Sequence, residues 1–213
     1  MNRQPPPAGP THLWLVRHAE VEVRYQKVFG GKIDMDLSPR GHEQAAALAG
    51  WLGRQHLDAI YASPMKRVHQ TLAALAGNGA PKPTLVPDFR EVDFGDWTGL
   101  GWTEVFAKFQ VRATEWLDHL DAATVPNGET GAAFRARVEP DLRRVVAAHP
   151  GRHVAVVAHG GVIRMVLAIL LDLPLPKTAA FEIDYASVTH LEIDALRTEV
   201  QLLNFAPWRD LRP

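Results

Sequence analysis

Apolar and polar positions alternate along the chain in two rhythms, and the segments that carry them take turns. Leu13 to Val16 is a short unbroken apolar run with the length of a buried strand. Ser38-Pro39 comes next, a hydroxyl in N-cap position before Pro at the first helical position. Behind it Ala45, Leu48, Ala49 and Leu52 recur at helical spacing until Gly53. Asp58 to Ala62 predicts a second strand, and Ser63-Pro64 repeats the cap signal for a helix to about Gly77. Asn78 to Pro87 is rich in Pro and Gly and predicts a connection; Phe89 to Gly101 predicts a loop or short strand. Two helical stretches come next, Thr103 to His119 and Gly131 to His149, the second with Pro140 as an expected kink or restart.

Val154 to Ala158 is the most β-like run, and Gly160-Gly161 leads from it into an apolar helical stretch reaching Leu173. Ser187 to Ile193 and Glu199 to Asn204 alternate enough to predict an antiparallel hairpin. Strand–helix alternation of this kind predicts an α/β, three-layer sandwich: a mostly parallel central sheet with helices on both faces. No repeat and no linker interrupts residues 11–213, which read as one domain behind a Pro-rich, disordered tail at 1–10.

Composition narrows the chemistry more than the fold. The 213 residues are 46% hydrophobic and 22% charged, with a formal net charge of −1, so no broad basic surface for nucleic acid is expected. The chain has no cysteine, which removes disulfides, zinc–thiolate sites and thiolate nucleophiles together. The tail lacks the apolar run of a signal peptide, and no stretch is long enough to span a bilayer. A cytoplasmic protein without membrane or nucleic-acid partners is expected, and a homodimer is compatible with the sequence.

Candidate chemistry gathers where the predicted strands end, the usual place for ligands in an open α/β sheet. Arg17-His18 comes directly after the first strand, and His159-Gly160-Gly161 after the run at Val154 to Ala158. Two histidines at equivalent positions on two central strands can face one pocket. A helix starting near Gly161 would aim free N–H groups and its positive end there, which suits an anion. Arginine adds planar donors matched to phosphate oxygens.

In these residues the chain resembles the histidine phosphatase superfamily, which includes the cofactor-dependent phosphoglycerate mutases, fructose-2,6-bisphosphatases and α-ribazole phosphatases. Five segments carry the resemblance in order, from Leu13 to about Asn204. Leu15-Val16-Arg17-His18-Ala19-Glu20 looks like the family's Arg-His-Gly-Glu signature. Phe29-Gly30-Gly31 with Asp34, then Leu37 to Gly41 and Gln44-Ala45, resembles the family's next segment. Tyr61 to Arg67 with Gln70-Thr71 resembles the Ser-Pro-x-x-Arg-x-x-Gln-Thr box. Arg90 to Gly99 resembles the loop that bears the acid, and Gly128-Glu129-Thr130 with Val157 to Gly161 completes the set.

The resemblance implies a role for each matching residue. His18 matches the nucleophile that becomes phosphohistidine. Arg17, Arg67, His159 and the Gly160 backbone match the groups around the phosphoryl oxygens, with His159 also catalytic. Glu91 matches the general acid that protonates the leaving oxygen and later activates water, with Asp93 and Asp96 nearby as substitutes. No metal or other cofactor is implied. Ala19, Arg24 and Gly30 stand where Gly, Asn and Ser or Thr are usual, and Arg24 is a candidate for an additional phosphate contact. Trp102 to Val125 holds only Lys108 and Arg112 as cations, without the Arg-Arg pair of the mutases. Hydrolysis of a small phosphomonoester, α-ribazole phosphate-like or of broad specificity, is therefore expected. A mutase and a non-catalytic ligand-binding member remain the alternatives.

Overall fold

A computed structural model describes residues 9–76 and 79–211. The expected tail lies outside them except for Gly9 and Pro10, as do Gly77 and Asn78 at the end of the second predicted helix. Strand β1 (Thr11–Arg17) is central because both its faces are apolar: Leu13 and Leu15 enter one core, Trp14 and Val16 the other. Helix α1 (Pro39–Leu52) starts where expected, with Ser38 Oγ accepting from Gly41 N at 2.9 Å. Strand β2 (Ala59–Ala62) leads to α2 (Lys66–Ala73), then to the two-residue strand β3 (Thr84–Leu85) within the predicted connection.

Helix α2 starts two residues later than its cap signal suggested. Met65 holds the N-cap position, and Ser63 Oγ instead meets His159 Nε2 at 2.8 Å and accepts from Met65 N at 3.4 Å. The long helix expected over Thr103 to His119 is two shorter ones, α3 (Trp102–Phe109) and α4 (Trp116–Asp121). Gln110 breaks it with a left-handed backbone at φ +58°. Helix α5 (Gly131–Ala148) runs through Pro140 without the expected restart. Pro140 and Ala136, whose carbonyl loses its partner, both face solvent, so water can satisfy that carbonyl.

Strand β4 (His153–Ala158) passes into α6 (Gly160–Leu170), and the hairpin β5 (Val188–Ile193) and β6 (Thr198–Phe205) leads to a last turn of helix, α7 (Pro207–Asp210). The sheet order is β3-β2-β4-β1-β5-β6. The first four strands are parallel, and β5 and β6 add antiparallel pairings. One face of the sheet packs on α4, α5 and α6, the other on α1 and α2. Parallel pairing aligns Arg17 with Ala158, so His18 and His159 leave the sheet side by side.

Candidate active site

The carboxyl ends of β1 and β4 floor a cavity of about 340 Å³, at the small end of ligand pockets. Arg17, His18, Arg67, Glu91, Gly160 and Arg164 line its polar side. Three arginines against one carboxylate make it a site for an anion.

The proton positions of both histidines are set by what their partners can do. Arg67 Nε is a donor, and it approaches His18 Nε2 at 3.2 Å and His159 Nδ1 at 3.1 Å. Both ring nitrogens must therefore be unprotonated. His18 Nδ1 faces the Ala19 carbonyl at 2.8 Å and so carries the hydrogen. That leaves a lone pair on Nε2, the atom a nucleophile needs. His159 carries its hydrogen on Nε2 and donates it to Ser63 Oγ. Burial, then the charges of Arg67 and Arg17, hold His18 well below its ordinary pKa, against the Ala19 hydrogen bond. Burial, then Arg67 and His18, does the same for His159. Both rings stay neutral well into acid.

Arg67 is 2% exposed and is aimed by its outer nitrogens, Nη1 to Ile33 O at 2.8 Å and Nη2 to Gly31 O at 3.4 Å. Thr71 hydroxyl donates to the Arg67 carbonyl and accepts from Ala19 N, tying α2 to the turn after β1. Burial lowers the Arg67 guanidinium to about 10, against the charge of Glu91, so it remains a cation. Arg17 donates from Nη1 to Ile183 O at 2.6 Å and lies 4.0 Å over the Tyr185 ring, while its buried Nε has no hydrogen-bond partner among the described residues.

Glu91 sits across the cavity at the first turn of α6: Oε2 accepts from Gly161 N at 3.2 Å and Oε1 from Val92 N at 3.0 Å. Gly161 permits this approach, since a Cβ there would lie 2.4 Å from Glu91 Oε1. The loop that carries Glu91 hangs on Arg137, which donates to the carbonyls of Arg90 at 2.9 Å and Glu91 at 3.2 Å. A near-buried pair with Glu129, 2.6 Å, fixes Arg137 in turn. Gly95 closes the loop at φ +49°, where a Cβ would meet Pro126 O at 2.2 Å. Asp93 pairs with Lys32 and Asp96 with Asn127, and neither lines the cavity.

The structure thus brings Arg17, His18, Arg67, Glu91 and Gly160 to one cavity. His159 stands fully buried behind Arg67 and off the cavity wall, placed to orient Arg67 and His18. Arg24 is exposed, paired with Glu22 at 2.8 Å and lying over Tyr25, and it does not line the cavity. Gly30 does line it, and a Cβ there would meet Met35 Cε at 2.3 Å. Glu20 accepts from Ser38 Oγ at 2.7 Å, and Asp34 accepts from Lys66 N at 2.8 Å, so both carboxylates tie the loops around the site.

Three site residues escaped the sequence reading. Arg164 interrupts the apolar face of α6 one turn after Gly160, and a helical side chain leans toward its helix N-terminus, here the cavity. Its guanidinium donates to the Thr178 carbonyl and is depressed by burial, then by Arg17. An arginine inside an apolar helix was the available signal. Ser63 was read as a cap, and Tyr185 gave no signal.

A buried imidazole with its Nε2 unprotonated, beside arginines and faced by one carboxyl group, is an arrangement suited to phosphoryl transfer. The chain belongs to the histidine phosphatase superfamily (branch 1), whose model matches residues 13–206. It is 34% identical over 194 residues to phosphoserine phosphatase 1 of Hydrogenobacter thermophilus, covering 90% of this chain and 91% of that one. A putative α-ribazole-5′-P phosphatase of Escherichia coli superposes with a TM-score of 0.80 at 25% identity, over 91% of this chain and 96% of that one. Mycobacterial glucosyl-3-phosphoglycerate phosphatase complexed with VO3 gives 0.82 at 28% identity, over 91% and 98%. The chain is a phosphoric monoester hydrolase acting on a small phosphorylated metabolite. Among the described residues no helix is long and apolar enough to cross a membrane.

Proposed function

We propose that His18 Nε2 takes the phosphoryl group, and the observation that carries this is the tautomer fixed by Ala19 and Arg67. In the first step the Nε2 lone pair forms the P–N bond as the P–O bond to the leaving group breaks, and Glu91 gives that oxygen a proton. In the second step Glu91 takes a proton from water, the water oxygen bonds to phosphorus, and the P–N electron pair returns to His18. Arg67 and Arg17 stabilise the charge that builds on the phosphoryl oxygens. His159 acts through Arg67 and His18, which it positions. Arg24 takes no part.

The substrate is a phosphomonoester small enough for about 340 Å³. Tyr25, Phe29, Trp102, Trp116 and Tyr185 give the cavity a ring-rich wall, and Arg164 supplies a cation beyond the phosphoryl group. A carboxylate-bearing ester suits Arg164, and phosphoserine is the first such ester to test, with an α-ribazole-type phosphate second. The test is a panel of phosphate esters assayed in excess chelator. Turnover should persist and vanadate should block it; an enzyme that dies with chelator and revives with a divalent ion overturns the mechanism. Including 3-phosphoglycerate with and without its bisphosphate primer separates hydrolysis from mutase activity.

A further inference from the structure

A second cluster of histidines lies at the opposite end of the same strands. His12 and Glu192 are directly paired across β1 and β5, and His190 is two residues from Glu192 on the same face of β5. Directly opposed residues and their diagonal neighbours share one face of a sheet within side-chain reach. Here three ligand atoms converge. His12 Nδ1 is 3.1 Å from His190 Nε2 and 3.5 Å from Glu192 Oε1, and all three atoms lie within 4.8 Å of one another. From His12 to His18 is six residues of strand, about 20 Å, so this cluster is separate from the phosphoryl site.

We propose that His12 Nδ1, His190 Nε2 and Glu192 Oε1 form a binding site for a divalent transition-metal ion, of the class Zn²⁺ or Co²⁺. Zinc bound to imidazole at about 2.1 Å in a tetrahedron sets its ligand atoms about 3.4 Å apart. The two separations from His12 bracket that edge. An ion takes the place of the hydrogen between the two imidazole nitrogens, and that hydrogen moves to the other nitrogen of the ring that carried it. Two nitrogens and one carboxylate oxygen favour zinc, cobalt, nickel or copper over magnesium and calcium, which prefer oxygen throughout.

The surroundings hold the rings as a metal site requires. His153 stacks on His12 with centroids 4.2 Å apart, and Trp14 stacks on His190 at 3.8 Å. Trp14 Nε1 donates to His153 Nδ1 at 3.4 Å, which ties together the two rings that stack on the ligands. Such packing prepays the ordering of the ligands. Glu192 makes its one ion pair among the described residues with His12, so no Lys or Arg there competes for the carboxylate. Side-chain exposures of 23% for His12 and 30% for Glu192 leave room for water to complete the shell.

The test uses the untagged full chain, stripped with chelator, because a polyhistidine tag binds the same ions. Zn²⁺ binding is measured by equilibrium dialysis, and Co²⁺ binding by its visible d–d bands, which report tetrahedral geometry. One equivalent per chain should bind, and Zn²⁺ should raise Tm. Glu192→Ala and His12→Gln should each weaken Zn²⁺ by more than the roughly 10-fold typical of losing an outer partner. They should also abolish the Tm shift while leaving phosphoester turnover unchanged. His18→Ala should bind Zn²⁺ as the natural chain does. Absence of a stoichiometric ion overturns the proposal. So does binding that survives both Glu192→Ala and His12→Gln, or binding lost in His18→Ala, which would put the ion in the phosphoryl site.

Discussion

The two ends of the β1–β4 ladder carry histidines at the same spacing and put them to different uses. His12, the second residue of β1, pairs with His153 at the start of β4, and the two strands lead to His18 and His159. All four imidazoles sit in or beside a core, and burial is the largest cause lowering His18, His153 and His159 alike. The neighbours differ. At the carboxyl end Arg67 donates one N–H toward two rings, and α6 opens with its free N–H groups. At the amino end no arginine among the described residues meets the rings; a glutamate does, and α5 has just ended at Ala148. Parallel α/β connections turn helix N-termini toward one edge of the sheet and C-termini toward the other. The first edge suits anions and the second cations. A histidine's chemistry therefore depends on which end of the strand it occupies and on the charge of its partner.

The largest expected contrast is a pair of single substitutions six residues apart. His18→Ala should lower kcat by at least about 10⁴-fold, as removing a nucleophile does, whereas His12→Gln should leave kcat unchanged. Steady-state rates on nitrophenyl phosphate decide it; a comparable loss in both would mean that the amino end serves catalysis.

Glu91→Gln comes next. Alkyl phosphates should lose on the order of 10² to 10⁴ in rate, the share of a positioned acid. Nitrophenyl phosphate, whose leaving group departs without a proton, should lose much less and show a burst of nitrophenol. Equal losses without a burst would mean that Glu91 is not the acid.

The contrast sharpens through Arg137, which supports the carboxyl end from behind. Arg137→Met leaves the Glu129 carboxylate, 14% exposed, with the Asp93 N–H but without its cation, which should cost about 3 kcal/mol in denaturant unfolding. Arg137→Met with Glu129→Leu should recover part of that, while the alkyl phosphate rate stays low because the Glu91 loop has lost its anchor. Full recovery of rate in the double variant would make Arg137 irrelevant to Glu91.

How far these residues were legible in advance depends on what holds each one in place. The ends of β1 and β4 were legible because apolar runs mark both strands and because parallel pairing brings residues after each strand together. Ser38 was legible as a cap, being local. Ser63 carries the same Ser-Pro signal but spends its hydroxyl on His159, 96 residues away, which no local pattern shows. The break at Gln110 likewise depends on packing rather than on a Gly or Pro. Within the site, Arg17, His18, Arg67 and Glu91 stood in recognisable segments. Arg24 did too, yet its side chain goes to Glu22 and solvent. Arg164 and Tyr185 reach the cavity through tertiary packing of α6 and of the segment before β5, so sequence order gave them no common signature. The amino-end cluster depends on antiparallel register between β1 and β5, which a predicted hairpin alone does not specify.

A smaller effect is expected from pH. His18 and His159 stay neutral in the folded chain well below their ordinary 6.5, whereas the unfolded chain protonates both near that value. As pH falls below about 6.5 the unfolded state binds more protons, so stability should fall by up to about 1.4 kcal/mol per pH unit for each ring. Above that pH these two groups contribute no slope. Urea midpoints at pH 7 and pH 5 test this, with His159→Gln expected to flatten the fall. For the same reason the acid limb of kcat/KM should lie below 6.5; a limb at or above it would contradict the neutral His18.

The most direct measurement is the identity of the phosphorylated atom. Glu91→Gln protein mixed with nitrophenyl phosphate and quenched rapidly in alkali, which preserves phosphohistidine, should yield one phosphoryl group, mapped by mass spectrometry of the peptides to His18. A phosphoryl group on any other residue, or none during a burst of nitrophenol, would contradict the account.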